Sequence, residues 1–315
     1  MSRAASPTAP SPPPITPLGA GGRIEFATPL TTDPNLDADD DEEREHRYRT
    51  LDNILGSDAA PGPVRGVEEA ELHSVSVEEP QSLKEADGDP NWAAAMEEEM
   101  KSIRENDTGS FSELPQGHRA IGLKWVYKVK RDENAAIVKY KARLVAKGYV
   151  QRAGVNFEEV FAPVARLESV RMLLAIAAHC GWSVHHMDVK SAFLNGDLQE
   201  EVYVQQPPGF IDDKHKNKVL RLHKALYGLR QAPRAWNHKL NASLLALGFS
   251  RCVNEHGMYT RGRGDGRLIV GVYVDDLIIS GGDAAAVTKF KTQMKNTFRM
   301  SDLGLLSYYL GLEVT

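Results

Sequence analysis

The stretch LIVGVYVDDLIISGG (residues 268–282) sets an apolar run against two adjacent acids. Apolar or small residues lead into Asp275 and Asp276, and Leu277, Ile278 and Ile279 lead out. A carboxylate beside a buried strand is costly unless something pairs with it. One reading is a plain hairpin turn, where Asp is favoured. Both flanks are strongly apolar, however, which puts the turn in the core region of a sheet rather than on an exposed arm. Two neighbouring carboxylates there repel each other, and a divalent cation would offset the repulsion.

A third acid has a similar setting. Asp188 closes the strand pattern WSVHHMDV (182–189), with Trp182, Val184 and His186 as its alternation partners. A strand-end cap is the other reading of this residue. Three carboxylates at the ends of adjacent strands suit two metal ions that clamp the attacking and leaving oxygens of phosphoryl transfer. No zinc pattern competes. The ten histidines form no HExxH, His185 and His186 point to opposite strand faces, and Cys180 and Cys252 stand in unrelated contexts.

The 315 residues suffice for one large domain or two small ones, and an apolar content of 42% allows a sizeable core. The net charge of -5 hides a division. Residues 1–119 carry 25 acidic and 10 basic side chains, whereas residues 120–315 carry 18 and 28. The second part has the sign that binds phosphates. No run of 18 apolar residues exists, so no membrane span is expected, and the opening MSRAASPTAPSPPP lacks the apolar core of a secretory signal. The sparse cysteines fit a reducing, intracellular compartment.

Residues 1–88 are Pro-rich and then acidic, with too few recurring apolar positions to offset the entropy of ordering, and they are expected to be disordered. Order is expected from residue 89. Asp89 caps and Pro90 opens a helix whose stripe is Trp92, Met96, Met100 and Ile103. A strand, the turn RDENAA and a second strand follow. In the second, Lys139, Lys141, Arg143, Val145 and Lys147 share one face, and Tyr140, Ala142, Leu144 and Ala146 the other. RLESVRMLLAIAAHCG is an apolar helix ended by Gly181. Residues 217–224 suit another strand. APRAWNHKLNASLLALGF is a helix lined by Trp236, Leu240, Leu244 and Leu247. Asp283 caps a last helix with Val287, Phe290, Met294 and Phe298 inward, and LSYYLGLEV is a hairpin arm. Strands mixed with crossing helices and antiparallel neighbours predict an α+β domain with helices on one side of a sheet.

MDVKSAFLNG, EEVYVQQPPGF, LHKALYGLRQAPRAW and VYVDDLII together resemble the reverse transcriptase of copia-type LTR retrotransposons. KWVYKVKRDENAAIVKYKARLVAKGYVQ, FEEVFAPVARLESVRMLLAIAA and the terminal DLGLLSYYLGLEV resemble the same family, so the likeness covers about residues 90–315. It implies polymerase fingers and palm over 89–315, an antiparallel palm sheet backed by helices, a thumb absent or incomplete, and 1–88 as a linker. It implies an RNA-directed DNA polymerase using two Mg²⁺ (or Mn²⁺) ions, a primed RNA or DNA template and deoxynucleoside triphosphates. Other products of the retrotransposon polyprotein are implied partners, with no membrane, in a cytoplasmic particle or the nucleus. The alternative is a nucleic-acid-binding remnant without catalysis.

By motif, Asp188, Asp275 and Asp276 match the catalytic, metal-holding aspartates. Lys130, Lys141 and Arg143 fall on the strands expected over the triphosphate, and the register decides which of Lys141 and Arg143 points inward. Phe193 resembles a steric gate against a 2'-hydroxyl. Tyr227 and Gly228 occupy a nucleotide-contacting turn, and Leu310, Gly311, Leu312 and Glu313 resemble the primer grip. Asn237, the segment NEHGMY (254–259) and Leu305 depart from the family pattern.

Overall fold

The computed structural model describes residues 79–132 and 134–314. The expected disorder of residues 1–78 lies outside the described residues. The described residues begin at Glu79, ahead of residue 89. α1 (Leu83–Ala86) is capped by Ser82, whose side chain accepts from the Glu85 amide. Glu79 accepts from the Val129 amide at 3.0 Å. Leu83 and the fully buried Ala86 join the core, two apolar contacts that an acidic, proline-bearing context conceals.

α2 (Pro90–Glu105) begins as expected, with Asp89 accepting from the Asn91 amide and Trp92, Met96 and Met100 buried. β1 (Gly109–Ser112), β2 (Leu123–Arg131) and β3 (Ile137–Ala146) follow, then α3 (Leu167–Cys180), stopped by Gly181 at φ 67°. β4 (Val184–Val189), β5 (Asp197–Val204) and β6 (Val219–Lys224) lead to α4 (Ala232–Ala246). β7 (Ser250–Arg251), β8 (Met258–Arg261), β9 (Leu268–Tyr273) and β10 (Asp276–Gly281) precede α5 (Ala284–Thr297). β11 (Met300–Leu305), β12 (Tyr308–Tyr309) and β13 (Leu312–Glu313) complete the described chain.

The strands form a six-stranded sheet ordered β11-β4-β10-β9-β8-β7, a three-stranded sheet β1-β6-β5, and the hairpins β2–β3 and β12–β13. Every pairing between these strands is antiparallel. The result is a mixed α/β domain with antiparallel sheets. Among the described residues no helix is long and apolar enough to cross a membrane.

The expectation of helices on one side of the sheet is corrected. Met187, Leu277, Ile279, Val270 and Val272 pack with Trp236, Leu240 and Leu244 of α4 and Phe290 and Met294 of α5. Ile278 and Ile269 join a separate cluster with Val170 and Leu173 of α3 and Tyr309 of β12. β9 and β10 are apolar at almost every position, so both faces need cover, and α3 supplies it on the second face.

Candidate active site

Strand register brings the three aspartates together. On β10, Asp276 lies opposite Asp188 of β4, and Ile278 lies opposite His186. Asp276 also faces Tyr273 across a two-residue turn made of Val274 and Asp275. The Val189 amide donates to the Asp275 carbonyl at 2.9 Å, tying that turn to β4. Val274 holds φ at +56°, a strained value for a β-branched residue. The indole N–H of Trp236 donates to the Val274 carbonyl at 2.7 Å and braces it from α4. Trp236 was legible only as part of a helical stripe, because nothing in sequence marks an indole aimed at a distant turn.

Each carboxyl has its own surroundings. Burial raises the pKa of Asp275, and the like charges of Asp276 and Asp188 add to the rise, while Arg143 opposes it. Asp188 is held by the ammonium of Lys190. One oxygen of Asp276 pairs with Nε2 of His186 at 2.7 Å. Among the described residues no three acidic, His or Cys side chains converge as a ready-made metal cage. The oxygen-only donor set and the mutual repulsion at Asp275 fit a hard divalent cation, provided Asp188 releases Lys190.

Beside the acids lies a cleft of about 400 Å³ lined by Lys130, Lys139, Lys141, Arg143, Lys190 and Tyr227, with Glu98 and Glu99 on the α2 side. Register does not separate Lys141 from Arg143. Lys128 lies opposite Lys141 and Val126 opposite Arg143, so both basic residues share the outward face of β2–β3. Trp125, Tyr127, Ala142 and Leu144 take the inward face. Burial lowers the pKa of Lys141, and Arg143 and Lys130 lower it further. Glu99 is buried, and its Oε1 accepts from the Leu144 amide at 3.3 Å. Burial raises its pKa.

Arg143 stacks its guanidinium 4.6 Å from the Tyr227 ring, and Tyr227 lies 5.0 Å from the Phe193 ring. Burial pushes the Tyr227 phenol up to about 12, with Arg143 opposing and Glu99, Asp275 and Asp188 adding. Phe193 does not line the cleft and connects to it through Tyr227. Gly228, at φ 86°, packs on the backbone of Ala146 and joins two segments instead of lining the cleft.

The terminal arm is a true hairpin. Tyr309 pairs with Leu312 across Leu310 and Gly311, at φ 47° and 82°. Two positive φ values mark the turn type that matches strand twist, though Asn is the commoner first residue. Glu313 lies opposite Tyr308. Tyr309 is buried and sets its ring edge-on to His186 at 5.4 Å. Two of the departures from the family pattern have local uses. Asn237 donates to the Pro163 carbonyl at 3.3 Å, and Glu255 accepts from the Ser169 hydroxyl at 2.8 Å. Leu305 is 65% exposed on β11, and nothing in the structure explains it.

Residues 106–315 match the family model described as reverse transcriptase (RNA-dependent DNA polymerase). The chain is 40% identical over 240 residues to the retrovirus-related Pol polyprotein from transposon TNT 1-94 of Nicotiana tabacum, covering 75% of this chain and 18% of that protein. It is 39% identical over 236 residues to the corresponding polyprotein from transposon RE1 of Arabidopsis thaliana, covering 75% of this chain and 16% of the relative. A putative transposon Ty5-1 protein of Saccharomyces cerevisiae is 40% identical over 128 residues, which is 41% of this chain and 42% of that protein. The chain thus spans under a fifth of the two plant polyproteins. These matches place it in the reverse transcriptase family, with copia-type transposon Pol polyproteins as its relatives.

Proposed function

We propose that the chain carries the fingers and palm of an RNA-directed DNA polymerase, over residues 89–315, which adds deoxynucleotides to a primer 3'-hydroxyl. One observation carries the reading. Antiparallel register sets Asp188 against Asp276, with Asp275 in the adjoining turn, next to a cleft walled by cations. Asp188, Asp275 and Asp276 would hold the metals. Two Mg²⁺ ions held there would lower the pKa of the primer hydroxyl and neutralise the triphosphate.

The protein's own groups do the rest. Arg143, Lys141 and Lys130 bind the triphosphate oxygens, Arg143 with a planar fork that suits them. Tyr227, its phenol kept protonated, separates Arg143 from Phe193, whose ring limits space at the sugar 2'-position. The turn at Gly228 keeps this group of residues against β3. Leu310, Gly311, Leu312 and Glu313 steady the primer end, where a shift of about 1 Å would cost roughly 10²-fold in rate. Template and primer are held through their phosphates, since a copying enzyme must accept any sequence.

Primer extension on an RNA template with Mg²⁺ tests the reading, beside a D275N/D276N variant. Extension by the parent alone supports it. Equal extension by both proteins removes the aspartates from the chemistry. Hybrid binding without extension, unchanged by Asp275→Asn, favours the non-catalytic remnant. Affinity for an RNA–DNA hybrid is expected to fall steeply between about 50 and 200 mM salt.

A further inference from the structure

His186 has no role in the scheme above, yet it makes the 2.7 Å contact to Asp276. It lies one diagonal step from Asp276 on the same face of the β4–β10 pair, a spacing that long side chains bridge. The contact is sheltered, with side-chain exposures of 16% for His186 and 29% for Asp276. A carboxylate offers only acceptors, so Nε2 of the imidazole donates. The other side of the ring meets Tyr309, edge-on at an interplanar angle of 89°. Tyr309 belongs to the terminal hairpin and packs with Ile269, Ile278 and Leu306. Among the described residues its buried hydroxyl has no partner, and its contact with His186 is ring packing.

We infer that His186 is a positioning residue that fixes the carboxylate of Asp276 and links it, through Tyr309, to the hairpin carrying Leu310 and Gly311. One oxygen of Asp276 is committed to the imidazole, which would leave the other for a metal held with Asp188 and Asp275. Fixing a ligand's rotamer from outside raises metal affinity without adding a ligand. The hairpin and the acid then move as one unit, so a displaced primer end would also disturb the metal-holding carboxylate. This inference rests on the proposed polymerase reading for its purpose, and on the His186–Asp276–Tyr309 geometry for its content.

The test uses the full chain and reads Mn²⁺ binding by electron paramagnetic resonance alongside primer extension. His186→Leu keeps bulk and removes the donor. It is expected to weaken Mn²⁺ binding about 10- to 100-fold and to raise the Mg²⁺ needed for half-maximal extension, with KM for the nucleotide unchanged. His186→Gln restores an N–H donor and should recover most of the loss. Tyr309→Leu should weaken Mn²⁺ binding in the same direction. Equal Mn²⁺ affinity in the parent and His186→Leu, or equal loss in the Leu and Gln variants, overturns the inference. If the parent binds Mn²⁺ but extends no primer, the polymerase reading fails while the Mn²⁺ series still decides the role of His186. A parent that binds no Mn²⁺ overturns both.

Discussion

The β2–β3 and β9–β10 hairpins carry opposite charge, and they differ in how a strand bears charge at all. β2–β3 has one face in the core and one toward solvent, so every second residue is available for a lysine or arginine. β9 and β10 are buried on both faces over nearly their whole length. A strand covered on both sides has room for charge only at its ends, which is where Asp275 and Asp276 sit. The basic wall is therefore broad and graded, and the acidic one is a point. Losses along the first should be partial, and losses at the second nearly complete.

The strongest challenge to that contrast is the acidic point itself. Asp275→Asn combined with Asp276→Asn should cut primer extension by about 10³-fold or more, since removing even one preorganised partner of transition-state charge costs roughly 10²–10³-fold. The fold should survive, because the strained part of the turn is held by the Trp236 indole bond to the Val274 carbonyl rather than by the acids. Circular dichroism melts would check this, and a collapsed melt would make the acids structural instead.

The seam between β3 and the segment leading into α4, the helix whose Trp236 braces the acidic turn, comes next. A Cβ on Gly228 would lie 2.2 Å from the Ala146 carbonyl oxygen and 2.6 Å from a Val145 methyl. The Ala146 amide already donates to the Tyr227 carbonyl at 2.7 Å, so the backbone cannot withdraw cheaply. The buried Gln151–Gln231 bond at 3.0 Å crosses the same seam. Gly228→Ala combines this clash with a positive φ and should cost about 3 kcal/mol in denaturant unfolding. A loss below about 1 kcal/mol would mean that the seam between β3 and the segment before α4 is loose.

Arg143→Ala should act more mildly and on a different quantity. A charge-assisted hydrogen bond is worth about 1.5–3 kcal/mol, so KM for the nucleotide should rise by about 10- to 100-fold, with kcat changed less. Lys141→Ala should shift KM in the same direction. A pure kcat loss would place Arg143 with the acidic point instead of the graded wall.

The same difference in burial decided what was legible in the sequence. The β2–β3 alternation is a period-two signal, and the faces read from residues 139–147 are those observed, because only one face had to be apolar. β9–β10 has no alternation to read. The acids stood out as breaks in an apolar run, but the need for cover on both faces went unread, and helices were expected on one side only. Asp188 was found as a strand end, whereas its exact opposition to Asp276 depends on a register that no single strand encodes. His186, Lys190 and Trp236 were missed as partners for the same reason, since each acts across a fold-dependent contact. Helix caps, being local, came through intact at Asp89 and Asp283.

The smallest effect sharpens the contrast within one sheet. Asp302 on β11 has two lysines bonded to its carboxylate, whereas Asp275 makes no ion pair among the described residues and feels Arg143 only from a distance. Burial works to raise its pKa, but hydrogen bonds from Lys291 at 2.9 Å and Lys295 at 3.1 Å hold it at about 2. A carboxylate with a depressed folded pKa contributes stability above its unfolded value near 4, and loses it as pH falls toward 2. The group is partly exposed, and screening reduces the gain to about 1 kcal/mol. Asp302→Asn should therefore destabilise by about that amount at pH 6 and by progressively less toward pH 2, which urea melts at both ends would show. An equal loss at both pH values would mean that the lysines pack against Asp302 without binding its charge. Asp302 and Asp275 would then not differ in having a cation bonded to the carboxylate.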